Sequence, residues 1–142
     1  MMNRIRIFLT GVGGQGTLTA TTLLANTALA QGLEVVSGEI HGMAQRGGVV
    51  LSSSDPTPPV GVSSGGDKYP EFGHIQETVS KQARQVWFLP CRELGLQAGS
   101  SQSGNTALLG AACAVGVLPF GVDALEAAVR KFLPAKLVEV NL

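Results

Sequence analysis

The sequence predicts an α/β domain built on a mostly parallel sheet. An apolar strand at Ile5–Leu9 leads into a glycine-rich turn and then into a helical pattern over Thr17–Gln31. A second apolar stretch, Leu33–Ser37, follows Gly32, which is well placed to end the helix. A strand, a helix and a strand in this order form the opening unit of a parallel sheet. The 142 residues suit a single domain spanning the chain.

Strands and helices continue to alternate through the middle of the chain. Val49–Ser52 predicts a third strand, and Gln85–Leu89 predicts a further one. Between them, Ser54–Pro70 is rich in proline, glycine and serine, which predicts a long irregular connection. A charged helix over Phe72–Ala83 completes the link between the two strands.

The last third of the chain predicts two helices and a short strand. Ser103 or Asn105 is placed to cap an alanine-rich helix, because both side chains accept hydrogen bonds from a first helical turn. Asp123 lies near the start of the final helix, where a negative charge is stabilising, and Pro134 ends that helix. Leu137–Val140 predicts a final short strand.

Charged side chains are few and unevenly placed. They make up 14% of the chain, against about 25% in typical soluble domains, and their formal charges cancel. A basic face for nucleic acid is therefore not expected. No charge lies between Arg6 and Glu34 or between Glu93 and Asp123. Because exposed helices usually present charges to water, we interpret these stretches as covered by a partner chain. A core rich in glycine and alanine with an uncharged polar face is the alternative.

Neither a membrane segment nor a secretory leader is predicted. The longest nearly apolar run, Ala107–Phe120, is shorter than the roughly 20 residues needed to cross a bilayer. The N-terminal residues lack the pattern of a signal peptide. Cys91 and Cys113 are far apart and match no metal or redox spacing, so we expect a cytoplasmic protein without a metal site.

The glycine-rich turn spells G-x-G-x-x-G between the first strand and the first helix. Glycines let backbone N–H groups approach an anion at the helix N-terminus, which favours a dinucleotide site with Glu39 as ribose acceptor. Glu39, however, lies beyond the predicted strand end. A turn that serves helix packing or a subunit interface is the interpretation we favour. The candidate residues for cofactor binding or interface contact are Gly11, Gly13, Gly14, Gln15 and Gly16.

A second loop carries a more specific pattern. The stretch Gly11–Gly16 (GVGGQG), taken together with His41–Gly48 (HGMAQRGG), resembles the γ subunit of pyruvate and related 2-oxoacid:ferredoxin oxidoreductases. The form of the second stretch is most similar to the β subunit of indolepyruvate:ferredoxin oxidoreductases. Tyr69-Pro70 and Asn105 also match family positions, and the resemblance covers most of the chain.

The resemblance implies a fold and a role. The fold is a three-layer α/β/α domain with a mostly parallel, Rossmann-like sheet, as in the family's γ domain. The role is that of a non-cofactor subunit in CoA-dependent oxidative decarboxylation of a 2-oxoacid, with electrons passing to ferredoxin. Thiamine diphosphate, Mg, iron–sulfur clusters and CoA are then expected in the complex and none on this chain. The implied partners are larger catalytic subunits. A free-standing dinucleotide-binding domain of a small dehydrogenase and a homodimer in isolation are the alternatives.

The second loop supplies the residues expected near a partner or its substrate, while no residue is assigned a catalytic role. His41 has the titratable ring of a proton donor, but an ordinary interface histidine is the interpretation we prefer. Arg46 is suited equally to clamping a carboxylate or phosphate and to a structural salt bridge with Glu39. The predicted interface or substrate-proximal residues are His41, Met43, Gln45, Arg46 and Gly47.

One departure from the family concerns the middle of the chain. Family members usually insert a strand-helix-strand portion before the proline-rich connection, and such a unit takes about 30 residues. Here Val49–Leu51 runs almost directly into Ser54. We therefore expect the chain to lack an internal segment near residues 51–54. A shortened variant and an incomplete sequence both account for this.

Overall fold

A computed structural model describes residues 4–11, 14–38 and 48–142. The described residues fall into two compact units, divided at residues 39 and 90. The larger unit contains both ends of the chain, and the smaller unit contains the middle. The helices and strands are α1 (Thr17–Ala30), β1 (Val49–Ser53), α2 (Val60–Ser63), α3 (Phe72–Gln82), β2 (Gln85–Leu89), α4 (Cys91–Ala98), α5 (Gly104–Ala114), α6 (Val122–Phe132) and α7 (Ala135–Val138).

The smaller unit contains a parallel two-stranded sheet. Strands β1 and β2 pair along their whole length, from Val49 opposite Gln85 to Ser53 opposite Leu89. The N–H of Arg84 donates to the carbonyl of Gly48 over 2.8 Å and extends the pairing. Helix α3 packs against β2, where the rings of Phe72 and Phe88 meet edge to face with centroids 5.2 Å apart. This unit confirms both predicted strands and the helix between them.

The larger unit is an assembly of helices around one apolar core. Helix α1 buries Ala20, Leu23 and Leu24 on one face, at the spacing expected of one side of a helix. Helix α6 contributes Leu125 and Val129 to the same cluster. The core also includes one fully buried hydroxyl, that of Thr27. It donates to the carbonyl of Leu23 over 2.7 Å, so its burial leaves no unpaired polar group.

Three predicted strands are corrected by the structure. Ile5–Leu9 and Leu33–Ser37 flank α1 but form no helix or strand, and Ile5 and Phe8 remain substantially exposed. An apolar run becomes a strand only when a neighbouring strand pairs with it, and these segments have no such partner among the described residues. The predicted strand Leu137–Val140 is helical instead. Pro134 starts a new turn there, and its carbonyl accepts the N–H of Leu137 over 2.8 Å.

The structure therefore supports an α/β class with helices and a small parallel sheet, while the three-layer Rossmann-like arrangement stays a prediction. The predicted irregular connection Ser54–Pro70 contains the short helix α2. The alanine-rich helix ends at Ala114, and Ser103 at its N-cap makes no side-chain capping bond. No helix in residues 4–11, 14–38 or 48–142 has the length and apolar character needed to span a bilayer.

Candidate functional site

The glycine loop leads into the N-terminus of α1. Gly14 and Gly16 have φ angles of 85° and 78°, in the left-handed region that glycine adopts without strain. Gly16 is the N-cap of the helix, and its carbonyl accepts the N–H of Ala20 over 3.1 Å. Gly11 and Gln15 also lie in the described part of the loop, whereas Gly13 lies outside it. The structure thus explains two of the candidate glycines by backbone conformation.

The loop is held by a residue from a distant part of the chain. The side-chain Nδ2 of Asn105, in the first turn of α5, donates to the carbonyl of Gln15 over 2.6 Å. A Cβ on Gly16 would lie only 3.1 Å from the same nitrogen, so the absence of a side chain permits this approach. Asn105 was expected as a helix cap, and its structural role is to fasten the glycine loop to α5. The sequence signals for Asn105 were its amide next to an alanine-rich helix and its match to a family position.

The first turn of α1 is suited to a negatively polarised partner. Gly16 has no side chain to cap the helix, and the turn carries no acidic residue. The leading N–H groups of a helix lack intrahelical acceptors, and the helix dipole adds positive potential there. A carbonyl or carboxylate of a ligand or a neighbouring subunit would satisfy these donors. The geometry fits dinucleotide binding and subunit contact alike, and the bond from Asn105 to Gln15 also fits the third interpretation, helix packing.

The second loop falls outside the described residues. His41, Met43, Gln45, Arg46 and Gly47 all lie in the stretch 39–47, as does Glu39. Their expected place beside a partner or its substrate therefore remains a prediction. The same holds for the suggested salt bridge between Arg46 and Glu39.

The chain's thiols do not fit an iron–sulfur cluster. Such clusters are held by four cysteine thiolates, and the whole sequence contains two cysteines. Both are buried, and burial raises the pKa of the Cys113 thiol, which favours the protonated form over the thiolate that a metal needs. Within the described ranges, His, Cys, Asp and Glu side chains form no group of three suited to a metal ion.

Comparison with known proteins identifies the family of this chain. The chain matches the pattern described as pyruvate ferredoxin/flavodoxin oxidoreductase over residues 6–57 and 57–142. The chain belongs to this family. Its glycine loop and the stretch 39–47 both lie in the first matched part.

Curated members of the family align with nearly the whole chain. The indolepyruvate oxidoreductase subunit IorB of Archaeoglobus fulgidus is 30% identical, with 98% of this chain and 90% of that protein aligned. IorB of Pyrococcus horikoshii is 28% identical, with 99% and 92% aligned. The ketoisovalerate oxidoreductase subunit VorA of Methanothermobacter marburgensis is 26% identical over 97% of this chain but only 34% of its own length. This family domain therefore occurs both as most of a small subunit and as part of a larger one.

Proposed function

We propose that this chain is the non-cofactor subunit of a 2-oxoacid:ferredoxin oxidoreductase complex, with indolepyruvate-like 2-oxoacids as substrates. The observation that carries the proposal is its alignment, over almost its full length, with two proteins named as the indolepyruvate oxidoreductase subunit IorB. The sequence has two cysteines, too few for a four-thiolate cluster, which agrees with a chain that leaves electron transfer to its partners.

In the proposed reaction, a 2-oxoacid and CoA give an acyl-CoA and carbon dioxide, and two electrons pass to ferredoxin. Thiamine diphosphate with its Mg, the iron–sulfur clusters and the CoA site would belong mainly to the larger partner subunit. Cofactors of this kind carry the bond-breaking chemistry, while protein surfaces position them and exclude water. The share of this chain is positional, and we assign it no catalytic residue. We expect the complex to be cytoplasmic.

The surface we propose for the larger subunit includes the glycine loop and the first turn of α1. This turn exposes Leu18, whose side chain is 69% accessible, and the helix carries no charged residue at all. A helix face that exposes leucines and threonines but no charge is unusual on a free-standing protein and typical of an interface. We propose the residues of the second loop, His41 and Arg46 among them, as a further set that contacts a partner or lies near its substrate.

We also propose that the chain lacks an internal segment found in its relatives. The family match is divided into two parts that meet at residue 57, close to the predicted position at residues 51–54. The alignment with the Archaeoglobus protein spans 183 positions, more than the 142 residues of this chain. Such a segment would carry further strands of the three-layer sheet, and its loss would leave the apolar segments around α1 without strand partners among the described residues.

Co-purification tests the proposed function. A tagged copy of the chain, expressed in its own cells, should retain a larger subunit that carries thiamine diphosphate and iron–sulfur clusters. Leu18→Asp should reduce the recovery of that subunit, because it places a charge at the proposed contact. Leu29→Asp is the matched control at the opposite end of α1, where Leu29 is also exposed, and should have a smaller effect. Turnover of a substrate by the purified chain alone would contradict the proposal.

The backbone conformation of the glycines before α1 also supports a second candidate function, that of a free-standing dinucleotide-binding domain. Positive φ angles at Gly14 and Gly16, directly before a helix, suit a phosphate as well as an interface. Titration with NADH and with CoA separates the two. Tight binding of NADH with a fluorescence change would favour the dinucleotide domain and count against the subunit. Sedimentation of the same sample reports whether the isolated chain pairs with itself.

A further inference from the structure

The glycine loop, residues 11–16, brings its two ends close together. A Cβ built on Gly11 would lie 2.5 Å from Oγ1 of Thr17, the first residue of α1, and 3.3 Å from Oε1 of Gln15. Such an approach to Thr17 is closer than real Cβ atoms come to their neighbours, so a side chain at position 11 would displace the hydroxyl. Glycine at position 11 therefore lets the side chains of Thr17 and Gln15 lie against the start of the loop.

A contact from α5 holds the other end of the loop. The bond from Nδ2 of Asn105 to the carbonyl of Gln15 measures 2.6 Å, which is short for an N–H donor and a carbonyl oxygen. Both residues belong to the compact unit that contains the two ends of the chain. Because the donor comes from a separate helix, the loop cannot reorient at Gln15 without breaking this bond.

The bond also fixes the direction of the next backbone N–H. In a planar trans peptide, the carbonyl of one residue and the N–H of the following residue point in opposite directions. The carbonyl of Gln15 faces Asn105, so the N–H of Gly16 is directed away from it. Glycine accepts φ angles of either sign, so the Gln15–Gly16 peptide could otherwise flip and turn its carbonyl outward. Asn105 selects the orientation in which Gly16 has its φ of 78° and the N–H faces outward.

We propose that Asn105 is a positioning residue for assembly of the complex, because it locks the Gln15–Gly16 peptide in the orientation that the larger subunit binds. This inference rests on the proposed function, in which the glycine loop is part of the contact with that subunit. Asn105 acts through the loop and does not itself provide the contact. A loop that is ordered before binding loses less conformational freedom when the complex forms, so the lock raises affinity. The matching group on the larger subunit is a carbonyl or carboxylate oxygen, which accepts the outward N–H.

The alternative is that Asn105 only stabilises the fold. Its removal would then lower the free energy of unfolding but leave the affinity of the folded chain unchanged. The two roles can be separated, because a domain that loses about 1 kcal/mol from a stability of several kcal/mol stays almost wholly folded. The sequence places no charged residue in the glycine loop, α1 or α5, so a substitution at position 105 breaks no ion pair within these elements.

Interferometry with the full chain and the larger subunit purified from the wild-type complex tests the proposal. Asn105→Asp keeps the shape of the side chain but loses the donor, and should bind about five- to tenfold more weakly. Asn105→Gln carries the same amide one carbon farther out and should recover most of that loss. Gly32→Ala is the matched control, because its strained φ of 74° costs stability at the far end of α1, and it should bind like the wild type. Circular dichroism confirms that each variant is folded under the binding conditions.

Each other result counts against the proposal in a recognisable way. If Asn105→Asp binds the larger subunit as tightly as the wild type does, the positioning role is wrong while the proposed function stands. Equal weakening by Gly32→Ala would assign the effect to stability, and an Asn105→Gln as weak as Asn105→Asp would show that the donor is not what matters. A wild-type chain that retains no larger subunit would overturn both proposals. If Asn105→Asp does not fold, Asn105→Ala, which adds no charge, replaces it and should bind about fivefold more weakly.

Discussion

The side-chain amide of Asn105 fastens the glycine loop by donating to the carbonyl of Gln15, ninety residues earlier in the chain, over 2.6 Å. The bond connects the start of α5 with the start of α1, so the two helices share one local structure at the loop. A loop held in this way can present its backbone N–H groups in a fixed direction. That property serves an interface or an anion equally well.

Replacing Asn105 should loosen the loop. Asn105→Asp keeps the shape of the side chain but removes the donor and places a negative charge against a carbonyl. We expect the free energy of unfolding to fall by about 1 kcal/mol, with faster hydrogen exchange at residues 14–16. Urea unfolding and amide exchange measure the two effects. Gln102→Ala, at an exposed neighbouring position, is the control and should change neither. Unaltered exchange in Asn105→Asp would contradict the fastening role.

The two loop glycines should respond differently to alanine. Both have positive φ, so Gly14→Ala and Gly16→Ala each force a left-handed conformation that costs about 1–2 kcal/mol. Only Gly16→Ala also crowds the Asn105 nitrogen, whereas a Cβ on Gly14 meets open space. We therefore expect Gly16→Ala to be the more destabilising in chemical denaturation.

Gly32→Ala serves as the control for conformational strain alone. Gly32 follows α1 with a φ of 74° and has nothing within 4 Å of a built Cβ. Gly32→Ala should lower the free energy of unfolding by about as much as Gly14→Ala does. If alanine lowers the free energy of unfolding equally at Gly14, Gly16 and Gly32, the close approach of Asn105 to Gly16 adds nothing to the cost of the Gly16 substitution.

Local hydrophobic patterns predicted much of the secondary structure. The residues that mark α1, α3, β1 and β2 as helices or strands lie within those segments themselves. Strand formation at Ile5–Leu9 could not be decided in the same way, since it depends on partners elsewhere in the chain. Helix α4 was not predicted, because Gly95 interrupts its short pattern. The contact between Asn105 and Gln15 spans the sequence and had no local signal beyond the residue types.

Gly95 in α4 should be among the least replaceable residues of the larger unit. A Cβ there would lie 2.6 Å from the carbonyl oxygen of Ser100 and 2.7 Å from the nitrogen of Gly104. Both atoms belong to the backbone and cannot move aside as a flexible side chain would. Gly95→Ala should therefore lower the free energy of unfolding by about 1–3 kcal/mol or more, as overpacking does in cores.

The matched control for Gly95→Ala is the same substitution at Gly110. That position is helical but has open space around a built Cβ, so alanine should raise the free energy of unfolding by up to about 1 kcal/mol. Thermal and urea denaturation of the two variants give effects of opposite sign. Similar destabilisation by both would show that the close backbone contact at Gly95 does not decide the result.

Alkaline pH should weaken the fold through Cys113. Burial raises the pKa of this thiol above its ordinary value of 9.0, while in the unfolded chain the thiol ionises near that value. The stabilisation is fully present below pH 9 and declines as the pH rises towards the higher pKa of the folded state, because only the unfolded chain then loses the proton. Urea unfolding from pH 7 to pH 10.5 should show this decline. Cys113→Ala should be less stable at pH 7, because it leaves a small cavity in the core, but its stability should fall less steeply above pH 9. If the free energy of unfolding falls equally steeply with pH in the wild-type protein and in Cys113→Ala, Cys113 does not contribute to the pH dependence.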